Sequence, residues 1–399
     1  MKIGIIKEGK TPPDSRVVFA PQHCEKLAKE FPQIDLQVAS SNVRSFKDDE
    51  YGAHIGDIID QDVLVGVKEV PIDQLIENKT YFFFSHTIKA QAYNRDLLRA
   101  ILKKNIRLID YECLVDDKGK RVIAFGRWAG IVGAHNGLVV WGKKFNKFDW
   151  GRCGDYKDYE ELQAFYKTQK LPAIKIAITG GGRVALGAIE IMDHLDVLRV
   201  SHADFKNKQF DEAVYVQLDC EDLYRRKSDN GFGIPEFYQK PELYKSIFEP
   251  YKSVVDVFIN AIYWDPKAPK YFELSDIEQP NFKMDVIADI TCDIAPDAGV
   301  PVTYRATEVP ELAMGIDKNT KEEVAPYQQG TIDVMSIDHL PSELPRDAST
   351  DFGNMFVEHV LPELLKPQSD FLDRATITRD GKLTEKYAYL QNYVDGIDN

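Results

Sequence analysis

Two stretches of the sequence end an apolar run in a side chain that can move protons. "GVKEVP" (66–71) reaches Lys68 after its apolar residues, and "YFFFSHTIKAQ" (81–91) reaches His86 after three phenylalanines. Such runs predict buried parallel strands, and open α/β sheets bind ligands beyond the carboxyl ends of their strands. If these two strands are neighbours, Lys68 and His86 emerge together. Burial or a nearby positive charge lowers a lysine pKa toward the range useful for acid–base catalysis.

Charged residues near other strand ends suit a substrate with carboxylate and ammonium groups. Arg16 follows the first predicted strand, and Arg121 and Arg127 lie in "DDKGKRVIAFGRW". A guanidinium is the natural bidentate partner of a carboxylate. Glu112 ends "RLIDYE", where it suits a substrate ammonium group or tunes the charge of Lys68. Each of these residues, taken singly, is also compatible with an ordinary solvated surface.

A glycine-rich loop predicts dinucleotide binding. In "IAITGGGRVALGA", Gly180, Gly182 and Ala185 fit G-x-G-x-x-G/A between a predicted strand and a predicted helix. Gly180 permits the tight turn, Gly182 lets the backbone approach a pyrophosphate, and Ala185 allows close helix–strand packing. The N–H groups at the start of the helix then face the phosphates. The alternative is a tight βα turn without a ligand, which this strand and helix context disfavours.

The strand after the loop is expected to contact the ribose of the cofactor. "VLRVSHADF" reaches Ser201 without the acidic residue that binds a ribose 2′-hydroxyl, and Asp204 comes only in the following turn. Ser201, with Arg199 and His202, would instead accept a 2′-phosphate. The expected cofactor is therefore NAD(H) or NADP(H), with NADP(H) at least as favoured.

Composition favours small-molecule substrates. The chain has 399 residues and a formal charge of −14, which disfavours nucleic-acid and anionic-membrane partners. Five scattered cysteines without CxxC spacing and eight histidines without an HxxxH pair predict no metal site. No apolar run reaches the roughly 18–20 residues of a membrane helix, and the first residues show no secretory leader. A cytoplasmic location is expected.

The apolar pattern alternates between strands and helices, which predicts an α/β protein with parallel sheets. The predicted strands are 2–7, 35–40, 62–69, 81–86, 107–112, 173–179, 213–219, 254–264 and 284–291. The predicted helices are 21–31, 90–104, 126–142, 181–195 and 355–365. A charged insertion, 220–248, is expected on the surface. The predicted domains are 1–140 plus 330–399, for substrate and catalysis, and 141–329, for the dinucleotide.

Nearly the whole chain resembles the lysine-forming saccharopine dehydrogenases and the lysine–ketoglutarate reductase part of the bifunctional aminoadipic semialdehyde synthases. The stretches that carry the resemblance are "FFSHTIKAQ", "IRLIDYE", "RVIAFGRWAG", "SIDHLPSELPRDA" and "ATITRDGKLTEKYAYLQ". Alanine dehydrogenase and the nucleotide-binding part of proton-pumping transhydrogenase are similar at a greater distance.

The resemblance implies two Rossmann-like domains with an active-site cleft between them. It implies Lys68 and His86 as the acid–base pair, Arg16 and Arg121 as carboxylate binders, and Glu112 as a neighbour that tunes their charge. The expected cofactor-binding residues are Gly180, Gly182, Arg183, Gly187, Ser201, Asp293, His339 and Leu340. Compared with the family, Ser201 replaces the acid of NAD-preferring members, Arg127 replaces an uncharged residue, and the insertion 220–248 is longer.

The predicted function is NAD(P)H-dependent reductive amination through an imine. L-lysine plus 2-oxoglutarate, giving saccharopine reversibly, is the first substrate pair. One alternative is alanine dehydrogenase, which uses pyruvate and ammonia with NADH, and a small substrate pocket would favour it. An alternative of another class is a non-catalytic NAD(P)-binding protein. The sequence predicts no oligomeric state.

Overall fold

The computed structural model describes residues 1–11 and 13–397. Within them the strands are β1 (Lys2–Ile5), β2 (Asp35–Val38), β3 (Val63–Val65), β4 (Thr80–Phe83), β5 (Arg107–Asp110), β6 (Lys175–Thr179), β7 (Leu198–Arg199), β8 (Val214–Leu218), β9 (Tyr224–Arg226), β10 (Tyr244–Ser246), β11 (Val257–Asn260), β12 (Val286–Asp289), β13 (Met314–Asp317), β14 (Glu323–Val324), β15 (Thr331–Met335), β16 (Thr376–Arg379) and β17 (Lys382–Leu383). The α-helices are α1 (Pro21–Glu30), α2 (Asp48–Tyr51), α3 (Arg95–Lys103), α4 (Gly126–Lys144), α5 (Tyr159–Tyr166), α6 (Arg183–His194), α7 (His202–Asn207), α8 (Cys220–Leu223), α9 (Ile234–Gln239), α10 (Pro345–Met355), α11 (Leu361–Leu364), α12 (Asp370–Ala375) and α13 (Gln391–Asp395).

The chain divides into two compact units. Unit 1 comprises Met1–Phe125 and Pro345–Asn399, and unit 2 comprises Gly126–Leu344. The sequence pattern assigns most of α4 and all of β15 to the first domain, whereas their contacts assign both to unit 2. Helix α4 packs on α6, β11, β12 and β15, and β15 pairs with β12. Most of α4 is buried because its central residues are small or apolar, so it serves as a core helix of unit 2.

The sheet of unit 1 has the order β17-β16-β5-β4-β3-β1-β2 within the described residues. Strands β5 to β2 are parallel, as expected for alternating strands and helices. The last two strands, β16 and β17, add to this sheet in antiparallel orientation. They come from the C-terminal segment, for which the sequence pattern predicts only a helix.

Aromatic packing explains why the C-terminal segment belongs to unit 1. Phe352 of α10 stacks on Phe125 with ring centroids 4.4 Å apart and meets Tyr111 edge-on at 5.1 Å. Phe356 contacts Phe82 of β4 at 5.8 Å. These rings are buried, so the segment closes one face of the sheet.

The sheet of unit 2 has the order β14-β13-β15-β12-β11-β6-β8-β7 in the part of the chain that the structure describes. The neighbouring strands β15, β12, β11, β6, β8 and β7 are all parallel. Strands β13 and β14 extend the β15 edge in antiparallel orientation. Strand β8 lies directly beside β6, whereas the short β7 lies beyond β8 at the other edge. This order decides which strand end lies beside the glycine-rich loop.

The insertion 220–248 folds into α8, the antiparallel pair β9–β10 and the short helix α9. Its buried aromatic residues Tyr224, Phe237 and Tyr244 join the core of unit 2, so it is an ordered part of the domain as well as a surface feature. None of the described helices is both long enough and apolar enough to cross a membrane.

Candidate active site and dinucleotide site

Lys68 lies at the carboxyl end of β3, where a buried carboxylate fixes its backbone. The N–H groups of Val67 and Lys68 donate to Glu8 Oε1 at 2.6 Å and Oε2 at 2.9 Å. Burial raises the pKa of Glu8 to about 8. Burial also lowers the pKa of Lys68, and the charges of Arg16 and Lys10 lower it further. Lys68 is thus shifted toward its neutral form, the form that accepts a proton.

His86 follows the neighbouring strand β4 and pairs with an acid from the end of β3. The pairing of β3 with β4 continues to the bond from Phe84 N–H to Val67 O at 3.0 Å. His86 Nδ1 lies 2.6 Å from Glu69 Oε1. Burial alone would raise the pKa of Glu69, but the hydrogen bond and charge of His86 outweigh it and lower that pKa to about 2. An ionised Glu69 only accepts, so Nδ1 carries the proton and Nε2 is left for a ligand.

The backbone of His86 is held in an unusual conformation. Its φ of +54° lies in the left-handed region, which is costly for a residue with a Cβ. The flanking residues hold it there: Ser85 N–H donates to Asp110 Oδ2 at 2.9 Å, and the Ser85 and Thr87 hydroxyl oxygens are 2.8 Å apart. Asp110 Oδ1 also accepts from Glu112 N–H at 2.7 Å. The buried Asp110 thus orients the residues that follow both β4 and β5.

Arg16 is buried and already bound to a carboxylate of its own loop. Its Nε and Nη2 donate to Asp14 Oδ1 at 3.0 Å and Oδ2 at 2.5 Å, and its guanidinium lies 4.3 Å from the centre of the Phe125 ring. Burial opposes ionisation of Asp14, but Arg16 outweighs burial and lowers the pKa of Asp14 to about 2. This charge pair is part of the fold of unit 1 and also sets the local potential at Lys68.

Glu112 and Arg121 form a looser pair. Arg121 Nη2 lies 3.6 Å and Lys89 Nζ 3.7 Å from Glu112 Oε1. The other oxygen, Oε2, is buried and accepts no hydrogen bond from the described residues. The Arg121 side chain is 41% exposed, so it is accessible to a ligand, in contrast to Arg16.

Arg127 lies in unit 2, on α4. Its Nε and Nη2 donate to Glu190 Oε2 at 2.9 Å and Oε1 at 2.7 Å, and the Tyr159 hydroxyl donates to the same Oε1 at 2.7 Å. The unexpected arginine therefore joins α4 to α6 through a bidentate ion pair.

The glycine-rich loop connects β6 to α6 as the sequence predicts. Gly180 has a φ of +94°, and a Cβ there would lie 3.1 Å from Ile262 Cβ, so glycine is required. At Gly181 a Cβ would lie 2.9 Å from Asp219 Oδ1, whereas at Gly182 it would have open space within 4 Å. The backbone at Gly182 is thus bare and accessible, which fits the approach of a pyrophosphate group.

The loop forms one wall of an open cavity of about 640 Å³ in unit 2. The residues lining it are Gly181, Gly182, Arg183, Val184, Asp219, Cys220, Glu221, Ile234, Tyr238, Ala261, Ile262 and Tyr263. The volume, the bare backbone and the start of α6 fit part of a dinucleotide.

The acidic residue beside this loop is Asp219, at the end of β8, and Ser201 lies elsewhere. Ser201 caps α7, accepting from Asp204 N–H at 3.1 Å, and is not among the residues of the cavity. The sequence assigns the ribose-binding position to the next strand along the chain, but the strand beside β6 is β8. Burial raises the pKa of Asp219, and the neighbouring Asp222 and Glu221 raise it further. The structure corrects the choice of strand.

The other predicted cofactor residues are distributed around the same sheet. A Cβ at Gly187 would lie 2.1 Å from the Arg127 carbonyl oxygen, so close packing of α6 on α4 accounts for that glycine. Asp293 follows β12 and its N–H donates to Thr291 Oγ1 at 3.4 Å. His339 and Leu340 follow β15, with His339 partly exposed and Leu340 buried. A Cβ at Gly133 of α4 would lie 3.3 Å from Leu340 Cδ1, so Leu340 packs on that helix.

Sequence reasoning missed several acids: Glu8, Asp14, Glu69, Asp110 and Asp219. Some signals were present, because Glu69 follows Lys68 directly and Asp14 precedes Arg16 by two residues. No local pattern points to Glu8, whose partners lie about sixty residues further along the chain.

Comparisons with known proteins agree with this architecture. Residues 4–132 match the family "Alanine dehydrogenase/PNT, N-terminal domain". Among solved structures, an L-alanine dehydrogenase matches with a TM-score of 0.62 and 13% identity over all of both chains. A transhydrogenase from Sinorhizobium meliloti matches with a TM-score of 0.54 and 14% identity over 96% of this chain and all of that one. At these identities the structural matches show the fold.

Other relatives have higher sequence identity to this chain than the solved structures have. Mouse alpha-aminoadipic semialdehyde synthase is 30% identical over 95% of this chain and 46% of its own length. The lysine-forming, NAD(+) saccharopine dehydrogenase of Emericella nidulans is 29% identical over 89% of each chain. Over nearly its whole length the chain is similar to these two kinds of enzyme. It spans a little under half the length of the semialdehyde synthases and most of the length of that saccharopine dehydrogenase. Unit 1 includes most of the segment that matches the alanine dehydrogenase family.

Proposed function

We propose that this protein is an NAD(H)-dependent dehydrogenase of the saccharopine dehydrogenase family and joins L-lysine and 2-oxoglutarate into saccharopine, reversibly. The observation that carries the proposal is the group at the carboxyl edge of the first sheet, where Lys68 has a lowered pKa and His86 is paired with Glu69. The names of the relatives support the substrate pair. In this proposal residues 1–125 and 345–399 serve substrate and catalysis, and residues 126–344 serve the cofactor.

The charged residues of unit 1 suit a substrate with carboxylates and an ammonium group. Arg121 is accessible and donates to one carboxylate, while the buried Arg16, paired with Asp14, contributes positive charge beside Lys68. The buried Glu112 Oε2, which has no hydrogen-bond donor among the described residues, accepts from the substrate ammonium group. These contacts act by orientation, because they fix the reacting carbon relative to the proton-transfer groups.

Proton transfer is assigned to Lys68 and His86. The ε-amine of the substrate lysine attacks the ketone of 2-oxoglutarate, and loss of water from the carbinolamine gives an imine. Lys68 in its neutral form accepts a proton from the attacking amine and passes it to the carbinolamine oxygen. His86, protonated on both ring nitrogens, donates a second proton to that oxygen through Nε2 as water leaves, so the imine forms in its protonated state. Glu69 holds the ring through Nδ1 throughout. When bound, the reduced nicotinamide cofactor supplies the hydride for the reduction.

Preference for NAD(H) over NADP(H) follows from Asp219. A carboxylate at the end of the strand beside the loop suits a ribose 2′-hydroxyl and repels a 2′-phosphate. Glu221 also lines the cavity and Asp222 lies nearby, so the local charge is negative. Gly182 and the first turn of α6 would hold the pyrophosphate.

The testing experiment measures NADH and NADPH oxidation by the purified protein at neutral pH. Lysine plus 2-oxoglutarate is compared with ammonia plus pyruvate, and each substrate is omitted in turn. We expect turnover with NADH only when lysine and 2-oxoglutarate are both present. Turnover with ammonia and pyruvate alone would instead assign alanine dehydrogenase activity. Bound cofactor without any turnover would favour a non-catalytic NAD-binding protein.

Asp219→Ser tests the cofactor assignment, with Ser201→Ala as the control. We expect Asp219→Ser to weaken NADH binding about tenfold and to improve NADPH binding, because it removes the acceptor and one negative charge. Ser201→Ala should leave both affinities unchanged, since Ser201 caps α7. A loss of NADPH binding in Ser201→Ala would restore the assignment made from the sequence.

A further inference from the structure

The nucleotide cavity has an apolar wall that the proposed function leaves unexplained. Ile234, Tyr238 and Tyr263 are 53%, 63% and 81% exposed, and all three line the cavity. Single exposed apolar residues are ordinary, but three that line one concave surface are typical of a ligand site. Two of them, Ile234 and Tyr238, come from α9 of the insertion.

Helix α9 is held firmly in place by its other face. Phe237 is buried and stacks on Tyr224 with ring centroids 4.7 Å apart. Glu236 accepts from Arg226 Nε at 2.7 Å and from the Tyr244 hydroxyl at 2.5 Å. The insertion therefore fixes the direction in which α9 projects its exposed residues.

The exposed residues of α9 form one continuous face. Ile234 and Tyr238 are four positions apart, so they lie above one another on the same side of the helix. The Tyr238 hydroxyl also interacts with the thiol of Cys220, the residue after Asp219. The Tyr238 ring is thus held beside the end of β8.

We propose that this wall, formed by Ile234, Tyr238 and Tyr263, binds the adenine base of the dinucleotide, with α9 of the insertion as its platform. The inference rests on the proposed function. If the bare backbone at Gly182 takes the pyrophosphate and Asp219 takes the adenosine ribose, the base attached to that ribose lies against the remaining, apolar part of the cavity. A flat aromatic base suits aromatic and aliphatic side chains, because stacking removes apolar surface from water.

In this proposal the insertion 220–248 contributes to binding of the adenosine half of the cofactor. Removing the platform should weaken the binding of every ligand that contains the adenosine half of the cofactor. It should not change the binding of ligands that contain only the nicotinamide half. The chemical step should also be unaffected at saturating cofactor, because the platform contacts no reacting atom.

The test measures dissociation constants of the whole chain for ADP-ribose by calorimetry and for NADH by fluorescence, with reduced nicotinamide mononucleotide as the ligand without adenosine. We expect Tyr238→Ala to raise the dissociation constants of ADP-ribose and NADH about tenfold, within the range of base–aromatic stacking. Tyr238→Phe keeps the ring and should change them less than twofold. Leu243→Ala removes an exposed apolar residue of the same insertion that does not line the cavity, and should also change them less than twofold.

Three results would overturn the inference. Unchanged ADP-ribose binding in both Tyr238→Ala and Ile234→Ala would show that the base binds elsewhere. Equal losses in Tyr238→Phe and Tyr238→Ala would assign the effect to the hydroxyl and its contact with Cys220. Weakening by Leu243→Ala to the same extent would indicate general disruption of the insertion. Wild-type protein that binds neither NADH nor ADP-ribose would contradict the proposed function itself, whereas wild-type binding with unaffected variants would contradict only the platform.

Discussion

The candidate sites of the two units consist of different chemical groups. Unit 1 uses charged side chains that already bind one another, such as Arg16 with Asp14 and His86 with Glu69. Unit 2 uses backbone shape, with Gly180 in a left-handed turn and Gly182 exposing bare backbone. The first site is preorganised by electrostatics and the second by the absence of side chains.

Because of this difference, substitutions at the unit 1 site should change stability and function together, whereas substitutions in the unit 2 loop can change function alone. In unit 1 a change to one partner leaves a buried charge without compensation, so binding, catalysis and folding change together. In unit 2 a methyl group on the exposed loop changes ligand access with little effect on the fold. Substitutions in the two units should therefore differ in kind, and the largest effects are expected in unit 1.

Lys68→Met should lower kcat about a thousandfold, the range typical of a lost general acid–base group. NADH binding should be unchanged, because the proposed cofactor-binding residues lie in unit 2. Lys7→Met, at an exposed lysine after β1, is the matched control and should retain wild-type kcat. Steady-state kinetics with a parallel NADH titration measure both quantities. Retained turnover in Lys68→Met would contradict the acid–base assignment.

Arg16→Met should lower the free energy of unfolding by about 3 kcal/mol, because it leaves the buried Asp14 carboxylate unpaired. The double variant Asp14→Asn/Arg16→Met should recover much of this loss. Arg121→Met, at an accessible arginine, should change stability by less than about 0.5 kcal/mol. Urea denaturation followed by circular dichroism measures the series. Equal effects at Arg16 and Arg121 would remove the distinction between a structural and an accessible arginine.

Stability should fall in acid partly through Glu69. Its folded pKa of about 2 lies below its value in an unfolded chain, so its contribution is complete above about pH 5 and is lost as pH falls toward 2. Between those values the wild type should lose about 2 kcal/mol more than Glu69→Gln, which has no ionisable group there. Unfolding measured at several pH values checks the difference. Parallel pH profiles would show that His86 does not stabilise the ionised carboxylate.

Substitutions at two glycines of the loop should affect stability and NADH binding separately. Gly180→Ala should cost about 1 kcal/mol of stability, because alanine is strained at a φ of +94°. Gly182→Ala should leave stability unchanged and raise the dissociation constant of NADH about tenfold, since its Cβ occupies the space of the pyrophosphate. Thermal unfolding and NADH titration of both variants provide the comparison. A stability loss at Gly182 equal to that at Gly180 would contradict the view that this backbone is open.

Much of the fold could be predicted from local pattern. Buried parallel strands are nearly continuous apolar runs, so β3, β4 and β6 and the residues that end them are visible in the sequence. The same reasoning predicts that Lys68 and His86 follow neighbouring strands and that the glycine-rich loop joins a strand to a helix, and the structure has them there. The pattern does not predict β16 and β17, because both strands are short and contain polar residues, and because the partner of β16 is β5, more than 260 residues earlier in the chain.

The residues that end buried strands and the positions where the backbone must turn tightly can be predicted from local sequence, since both depend on neighbours within a few positions. Which strand ends are adjacent depends instead on tertiary packing. The order β6-β8-β7 brings Asp219 to the loop in place of Ser201, and the packing of β1 beside β3 brings Glu8 to the backbone of Lys68. Strand order depends on how segments that are distant in sequence bury the faces of the sheet. The free energy of that burial cannot be predicted from a short stretch of sequence.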